Sequence, residues 1–293
     1  SPGTIMLGQV LFGGLAVGSI YGLVALGFAV IFKATEVFNF AQGMFVVCGA
    51  YLAVTAMSVL GLSFPVGIVF IIGAAALLGV VIHALLIQPL SGRPMLSVIM
   101  ITIALSIVLR ALIEMMYGSA GRPLSTPLPS GVLTLGNLRI SQLHLTAMLV
   151  SWVCMAGFGA FFRFTPMGLL MRATADGHEA AVVSGINVNV MNRMAWAIGC
   201  LLAAIGGLFL GQLQIVSTEL ESIGLLALPA VVIGGMQSIP GAIVGGLLVG
   251  LVEQLAASYV SPKSSDIFIY GLLLFILMFR PWGLFGQREL GRV

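Results

Sequence analysis

Long apolar runs, nearly free of charge, recur along the whole chain, and short stretches between them hold almost all of the Lys, Arg, Asp and Glu. Crossing a hydrocarbon core of about 30 Å takes about 20 apolar residues at a rise of about 1.5 Å each. That rule predicts spans near 5–32, 37–60, 65–87, 95–117, 145–162, 191–214 and 266–285. One further stretch, 224–258, would be about 52 Å long as a single straight helix, too long for the core. It contains Gly234-Gly235 and Ser238-Ile239-Pro240-Gly241. Glycine's backbone freedom and proline's missing N–H break a helix there, so two shorter helices meeting at a turn are expected. The run from Ile5 to Phe32 exceeds the about 7–15-residue core of a signal peptide and is expected to remain as a span. Ser1-Pro2-Gly3 lacks an initiator Met and is set aside as a trimmed or engineered start. The pattern predicts an all-α fold: one polytopic membrane domain over 1–293, with about eight transmembrane segments and broken or re-entrant helices.

Composition sharpens this. Hydrophobic residues make up 60% of the chain and charged residues 7%, against about 25% charged in a soluble domain. There is too little polar side chain to coat a water-exposed surface, which excludes a soluble enzyme, a disordered protein and a nucleic-acid binder. Sidedness follows from Lys and Arg, which are retained on the cytoplasmic side. One assignment puts Lys33, Arg93, Arg163, Arg172, Arg193, Arg280, Arg288 and Arg292 inside and Arg122, Arg139 and Lys263 outside. The C-terminus is then cytoplasmic and the N-terminus outside, with Glu219, Glu221, Asp266 and a Pro-, Ser- and Gly-rich loop over about 118–143 on the outer side. The pair within 224–258 would enter and return to that side.

Charge inside a span needs a partner or water. Arg110 and Glu114 lie four apart on one helical face and can neutralise each other as a structural ion pair. Glu253 has no nearby basic residue; it either lines a water-filled route or bonds a neighbouring helix. His83 reads as a packing histidine with its bonds satisfied. Cys48, Cys154 and Cys200 lack metal-ligand spacing and read as small hydrophobes. Uncharged polar side chains gather at the breaks: Asn39 and Gln42 at one, Gln237 and Ser238 at the other, with Gln212 and Gln214 closing a span. These can line the path of a small polar solute, or can bond backbone groups freed at the breaks. Phe38–Gly43 and Gly234–Ser238 each precede a helix rich in small residues, with five spans between them, an internal echo compatible with an inverted repeat.

The most charge-dense segment is about 163–193. Thr174, Asp176 and Glu179 offer a capping-box start to a short helix presenting Ala180, Ala181 and Ser184, and Gly185 suits its end. Such a small, flat face fits a socket in a partner protein. The chain has no Gly-x-x-x-x-Gly-Lys-Ser/Thr loop to bind ATP itself.

Glu179-Ala180-Ala181-x-x-x-Gly185 resembles the Glu-Ala-Ala loop of ABC-importer permeases. Asn39-Phe40-Ala41-Gln42-Gly43, Gly234-Gly235-Met236-Gln237-Ser238-Ile239-Pro240-Gly241-Ala242 and Arg280-Pro281-Trp282-Gly283-Leu284-Phe285-Gly286 resemble branched-chain amino acid permeases of LivH type over nearly the whole chain. The resemblance implies a permease of the bacterial inner membrane, paired with a LivM-like second permease. Two ATPase subunits would hold the ATP-Mg, this chain carrying no cofactor, and a periplasmic binding protein would deliver the solute. It further implies that Glu179, Ala180, Ala181 and Gly185 belong to the coupling segment; the reading of the residues themselves adds Arg172 and Asp176 to that segment and sets Asn39, Gln42, Gln237, Ser238 and Glu253 along the solute pathway. The chain departs from the pattern at Met44, where many relatives are acidic, and at Gly177-His178, which replace a more acidic run. The first leaves open urea, short amides or aromatic and alicyclic carboxylates as solutes. A different class, a self-sufficient secondary transporter or channel, would need Glu253 as its coupling acid.

Overall fold

The computed structural model describes residues 2–135 and 138–286; Arg288 and Arg292, counted above among the inner charges, lie outside them. The helices are α1 (Pro2–Thr35), α2 (Gln42–Val54), α3 (Phe64–Ile82), α4 (Met95–Tyr117), α5 (Gln142–Phe164), α6 (Pro166–Asp176) and α7 (His178–Val183). They continue with α8 (Val188–Leu213), α9 (Leu220–Leu225), α10 (Ala227–Gly234), α11 (Ile239–Tyr259) and α12 (Ser265–Phe279). Thr55–Val59 and His83–Ile87 extend α2 and α3 as π-helical turns. Between α4 and α5 the chain forms an antiparallel hairpin, β1 (Val132–Leu135) with β2 (Leu138–Ser141), pairing Leu133 with Ile140.

Among the described residues, eight helices are long and apolar enough to cross a membrane: Met6–Thr35, Gln42–Val59, Phe64–Leu90, Met95–Tyr117, Gln142–Phe164, Val188–Leu213, Ile239–Tyr259 and Pro262–Phe279. The fold is therefore a polytopic all-α membrane architecture, as the periodicity predicts. Within 224–258 the break falls at the expected turn, but α11 is long enough to cross by itself and only the preceding Leu220–Gly234 is short. The last span also differs from expectation. It ends at Phe279 rather than near 285, because Pro281 and Gly283, the latter at φ +80°, cannot continue the helix.

The chain forms two compact units: 1–29, 128–152 and 226–293 in one, and 30–127 and 153–225 in the other. Lipid tails are as apolar as leucine, so helices in a membrane associate through close backbone approach at small residues and through polar contacts. In the second unit α2 lies buried against α8. A Cβ on Gly49 or Gly207 would collide with the backbone at Ala204 or Val46, and one on Gly43 would come within 2.6 Å of the Glu221 carbonyl oxygen. Trp196 on α8 is fully buried, edge-on to Phe45 at 6.2 Å between centroids. Packed against α2, α4 turns Leu96, Met100, Ile103 and Ile107 outward, the face expected of a helix in lipid.

The opposite face of α4 carries a polar residue every fourth position. Thr102 Oγ1 contacts the Phe38 carbonyl and receives the Phe40 amide at 3.3 Å. Ser106 donates to Glu221, Arg110 Nε donates to Glu221 Oε2 at 3.1 Å, and Glu114 accepts from Thr218 at 3.2 Å. The expected Arg110–Glu114 pair is therefore replaced: Arg110 reaches across to Glu221 on α9, which also bonds Ser106. A partner on another element holds the arginine while satisfying a second buried donor.

In the first unit α1 lays Gly14 and Gly18 against α11, where a Cβ on Gly18 would lie 2.9 Å from Leu247 Cα and one on Gly250 would lie 2.7 Å from the Gly14 carbonyl oxygen. Gly246 closes against Gly22 in the same way. Glycines four apart on both helices let the two backbones touch. The segment after α12 folds back so that the Leu284 and Phe285 amides donate to the Ile233 and Gly234 carbonyls at 2.8 and 2.9 Å, capping α10.

Gly250→Ala is expected to cost about 1–3 kcal/mol by overpacking, whereas Gly271→Ala, with open space around it, is expected to stabilise by about 0.5–1 kcal/mol; melting of the detergent-solubilised protein separates them. Glu221→Gln is expected to destabilise by about 1–3 kcal/mol, the value of hydrogen bonds to a charged group. Adding Arg110→Met should recover part of that loss in the same melts, since it removes the stranded charge.

Candidate functional site

Two short helices make up the charged segment between α5 and α8. Thr165 starts α6, its hydroxyl accepting from the Gly168 amide at 3.0 Å. Thr174 and Asp176 lie in α6 and do not cap the next helix as the sequence suggests: Thr174 bonds back to the Leu170 carbonyl at 2.9 Å. Gly177, in extended conformation, precedes α7 without a side-chain cap, so the chain turns there through backbone alone. Glu179 sits in the first turn of α7, where a carboxylate meets the positive end of the helix.

At the far end the expectation for Gly185 holds. It adopts φ +80°, and the Gly185 and Ile186 amides donate to the Val182 and Ala181 carbonyls, each at 3.0 Å. This is a Schellman ending, which needs the left-handed backbone that glycine allows. Ala181, expected on the presented face, is instead buried, whereas Glu179, Ala180 and Ser184 are exposed. Val182 and Val183 stand in the open at 58% and 89% exposure, an apolar tip that sequence reasoning missed. A reading of α7 as one turn and a half, with Ala181 facing in, would have exposed them. Arg172 folds back, its guanidinium 5.9 Å from the Phe162 ring centre and donating to the Arg163 carbonyl at 3.2 Å; Asp176 is exposed at the end of α6.

The breaks hold the other candidates. Asn39 and Gln42 are fully buried. Asn39 Nδ2 donates to Gln42 Oε1 at 3.1 Å and Asn39 Oδ1 accepts from the Ala41 amide at 3.1 Å, so the two amides close the start of α2. Met44, at the position where an acid was noted as usual, is completely buried. In the other unit Ser238 caps α11, accepting from the Gly241 amide at 3.1 Å, and Gln237 is exposed. Glu253 shares a hydrogen bond with Tyr21, which is buried, and its Oε2 has no hydrogen-bond partner. The structure thus brings Asn39 to Gln42 and sets Gln237, Ser238 and Glu253 in a different unit. Gln212 donates to Thr126 on the loop after α4.

His83 departs from the expectation of a satisfied histidine: it is buried, 6.4 Å from the Trp196 ring, and its Nδ1 has no partner. Among the described residues no three His, Cys, Asp or Glu side chains gather as metal ligands. The cysteines are free thiols, Cys200 buried and the others partly so.

Residues 10–277 match the family described as "Branched-chain amino acid transport system / permease component". The chain is 30% identical to the high-affinity branched-chain amino acid transport system permease protein BraD of Pseudomonas aeruginosa, over 97% of each chain. It is 29% identical to LivH of Escherichia coli, again over 97% of each, and 27% identical to a probable LivH of Methanocaldococcus jannaschii over 95% of this chain and 92% of that one. The solved structure of PsaBC from Streptococcus pneumoniae in complex with Fab covers 90% of this chain at TM-score 0.47 and 18% identity, a likeness too slight to inform the fold. With the match running from the first span into the last, the chain belongs to the family of branched-chain amino acid transport system permease components.

Proposed function

We propose that this chain is the LivH-type permease subunit of an ATP-driven importer for branched-chain amino acids or a closely related small amphipathic solute. It pairs with a LivM-like permease, receives its solute from a periplasmic binding protein, and is driven by two cytoplasmic ATPases that bind and hydrolyse ATP-Mg. The observation that carries this reading is α7: a short helix with Val182 and Val183 exposed beside Glu179 and Ala180, ended rigidly at Gly185. An exposed apolar tip outside the spans has no role in lipid and suits a socket in a partner.

Sidedness follows the same reading. The loop over about 163–193, with Arg163, Arg172 and Arg193, is cytoplasmic, as is the C-terminus after Arg280, while about 118–143 and its hairpin face the periplasm. ATP binding draws the ATPases together and pulls α7. The pull passes through α6 and α8 to the spans, and alternating access results. Movement concentrates at the breaks before α2 and α11, where the helix ladder is interrupted and Asn39, Gln42, Gln237 and Ser238 supply replacement bonds. These residues and Glu253 mark the solute pathway. Asn39 and Gln42, bonded to each other, act by shaping the break, whereas exposed Gln237 is free to meet solute.

Val183→Asp, or Glu179→Arg combined with Gly185→Val, is expected to reduce co-purification with the ATPases and cut uptake by about tenfold or more, with normal amounts of protein in the membrane fraction. Unchanged co-purification would remove the coupling role. Asn39→Leu is expected to slow uptake of labelled leucine while the ATPases still co-purify, because the change strands the Ala41 amide without touching α7. Uptake by this chain alone, reconstituted without ATPases and driven by an ion gradient, would replace the importer reading with a secondary transporter.

A further inference from the structure

Two spans, α1 and α5, carry a basic residue in the last turn, Lys33 and Arg163. Lys33 Nζ stands 5.9 Å from the centre of the Phe162 ring, and the guanidinium of Arg172 on α6 reaches the same ring at the same distance. The two cations are thus no farther apart than twice that length. Arg163 lies 5.5 Å from the Phe164 ring centre, and its carbonyl accepts from Arg172 at 3.2 Å. All of these residues belong to one compact unit.

Three positive side chains gathered at one corner repel one another, so their company needs a reason. Helix ends supply part of it, since the last turns of α1 and α5 each carry about half a negative charge. About two positive charges are left over. Carboxylates do not take them up. Glu36 follows Lys33 by three residues and Asp176 lies one turn beyond Arg172, yet among the described residues the one ion pair is Arg110–Glu221. Arg172 forgoes Asp176, the partner that helix spacing favours, and folds back onto Phe162. Half-buried and held by a ring and a carbonyl, it is fixed in place before any ligand arrives.

The spans in question end at Thr35 and Phe164, which sets the cluster at the depth of lipid headgroups. Beside the charges, Phe164 and Leu169 are 77% and 57% exposed. Cationic and apolar surface side by side match the junction of phosphate and acyl chain in a phospholipid. A soluble anion would use the first and leave the second in water. We propose that the corner formed by α1, α5 and α6 binds an anionic phospholipid, its phosphate on Lys33, Arg163 and Arg172 and its acyl chains against Phe164 and Leu169. Phe162 is the positioning residue, because its ring orders two of the three cations. A zwitterionic lipid is disfavoured, since its ammonium meets the same three charges. Through Gly177, α6 runs directly into α7, so a lipid held here fixes the base of the helix proposed to grip the ATPases. That last consequence rests on the coupling reading; the site does not.

The test uses the full-length chain purified in detergent, without ATPases, so that failure of the coupling reading cannot mimic failure of the site. Native mass spectrometry during titration with dioleoylphosphatidylglycerol is expected to show saturable binding, at least about tenfold tighter than dioleoylphosphatidylcholine. Lys33→Gln, Arg163→Gln and Arg172→Gln should each weaken it about fivefold, the value of one basic side chain beside an anionic surface. Arg163 is exposed, so its variant should melt like the parent and report on binding alone. Lys263→Gln, an equal change in net charge at an exposed position elsewhere, should leave affinity unchanged. Phe162→Leu keeps every charge and should still weaken binding about two- to fivefold, an effect that net charge alone does not produce. Equal affinity for the two lipids, or the same loss in Lys263→Gln as in the three site variants, would overturn the proposal. Displacement by glycerophosphoglycerol should be more than about tenfold weaker than by the intact lipid, because it brings no acyl chain to Phe164 and Leu169. Equal displacement would overturn the proposal as well, by assigning the corner to a soluble phosphate.

Discussion

Hydrocarbon offers no hydrogen bonds, so every backbone or side-chain polar group placed in it must find its partner within the protein. Most of the unusual local structure in this chain answers to that constraint. Where α1 gives way to α2 the ladder is interrupted, and Asn39 supplies an acceptor to the Ala41 amide while Gln42 takes up its side-chain donor. Where α10 gives way to α11, Ser238 caps the new helix and the amides of Leu284 and Phe285 return to the carbonyls left open at the end of α10. The Arg280–Gly286 stretch, which carries part of the family resemblance, is in this sense a helix cap delivered from far along the chain.

The same constraint explains α4. A helix with Leu96, Met100 and Ile107 facing outward can still hold Thr102, Ser106, Arg110 and Glu114, because all four lie on one stripe and each meets a partner on the α1–α2 connection, α9 or the segment before it. Close contact between backbones supplies the remaining cohesion. Gly18 against Leu247 and Gly43 against Glu221 allow approaches that a single methyl group would block. Attraction there comes from dispersion over short distances, which makes fit more important than hydrophobicity.

Against this background the departures stand out. Exposed Val182 and Val183 on α7 lie in a charged loop outside the spans, and His83 and Asn192 leave polar atoms unpaired beside a cavity. The first is an excess of apolar surface, the second a deficit of bonds. Both are the opposite of what membrane packing produces, and they meet at His178, which belongs to α7 and lines the cavity.

From residue order alone came the all-α class, the positions of most spans, the breaks at 38–43 and 234–241, the left-handed glycine at 185 and the family. Each rests on local chemistry: an apolar run of given length, a Gly-Pro interruption, or a short motif means the same thing wherever the chain goes next. Partners did not follow from local chemistry. Arg110 had an acid four residues away and a different one more than a hundred residues on, and only the approach of α9 to α4 decided for Glu221. Thr174 and Asp176 had the right spacing to cap α7 yet were taken into α6, and Ala181 turned inward while Val183 turned out. The glycines at 14, 18, 246 and 250 carry a visible four-residue spacing, but which helix faces which is fixed by packing. The cavity left no trace in the sequence, since Glu36, His83, Arg93, His178 and Asn192 come from five separate elements or turns and share a wall only after the chain has folded.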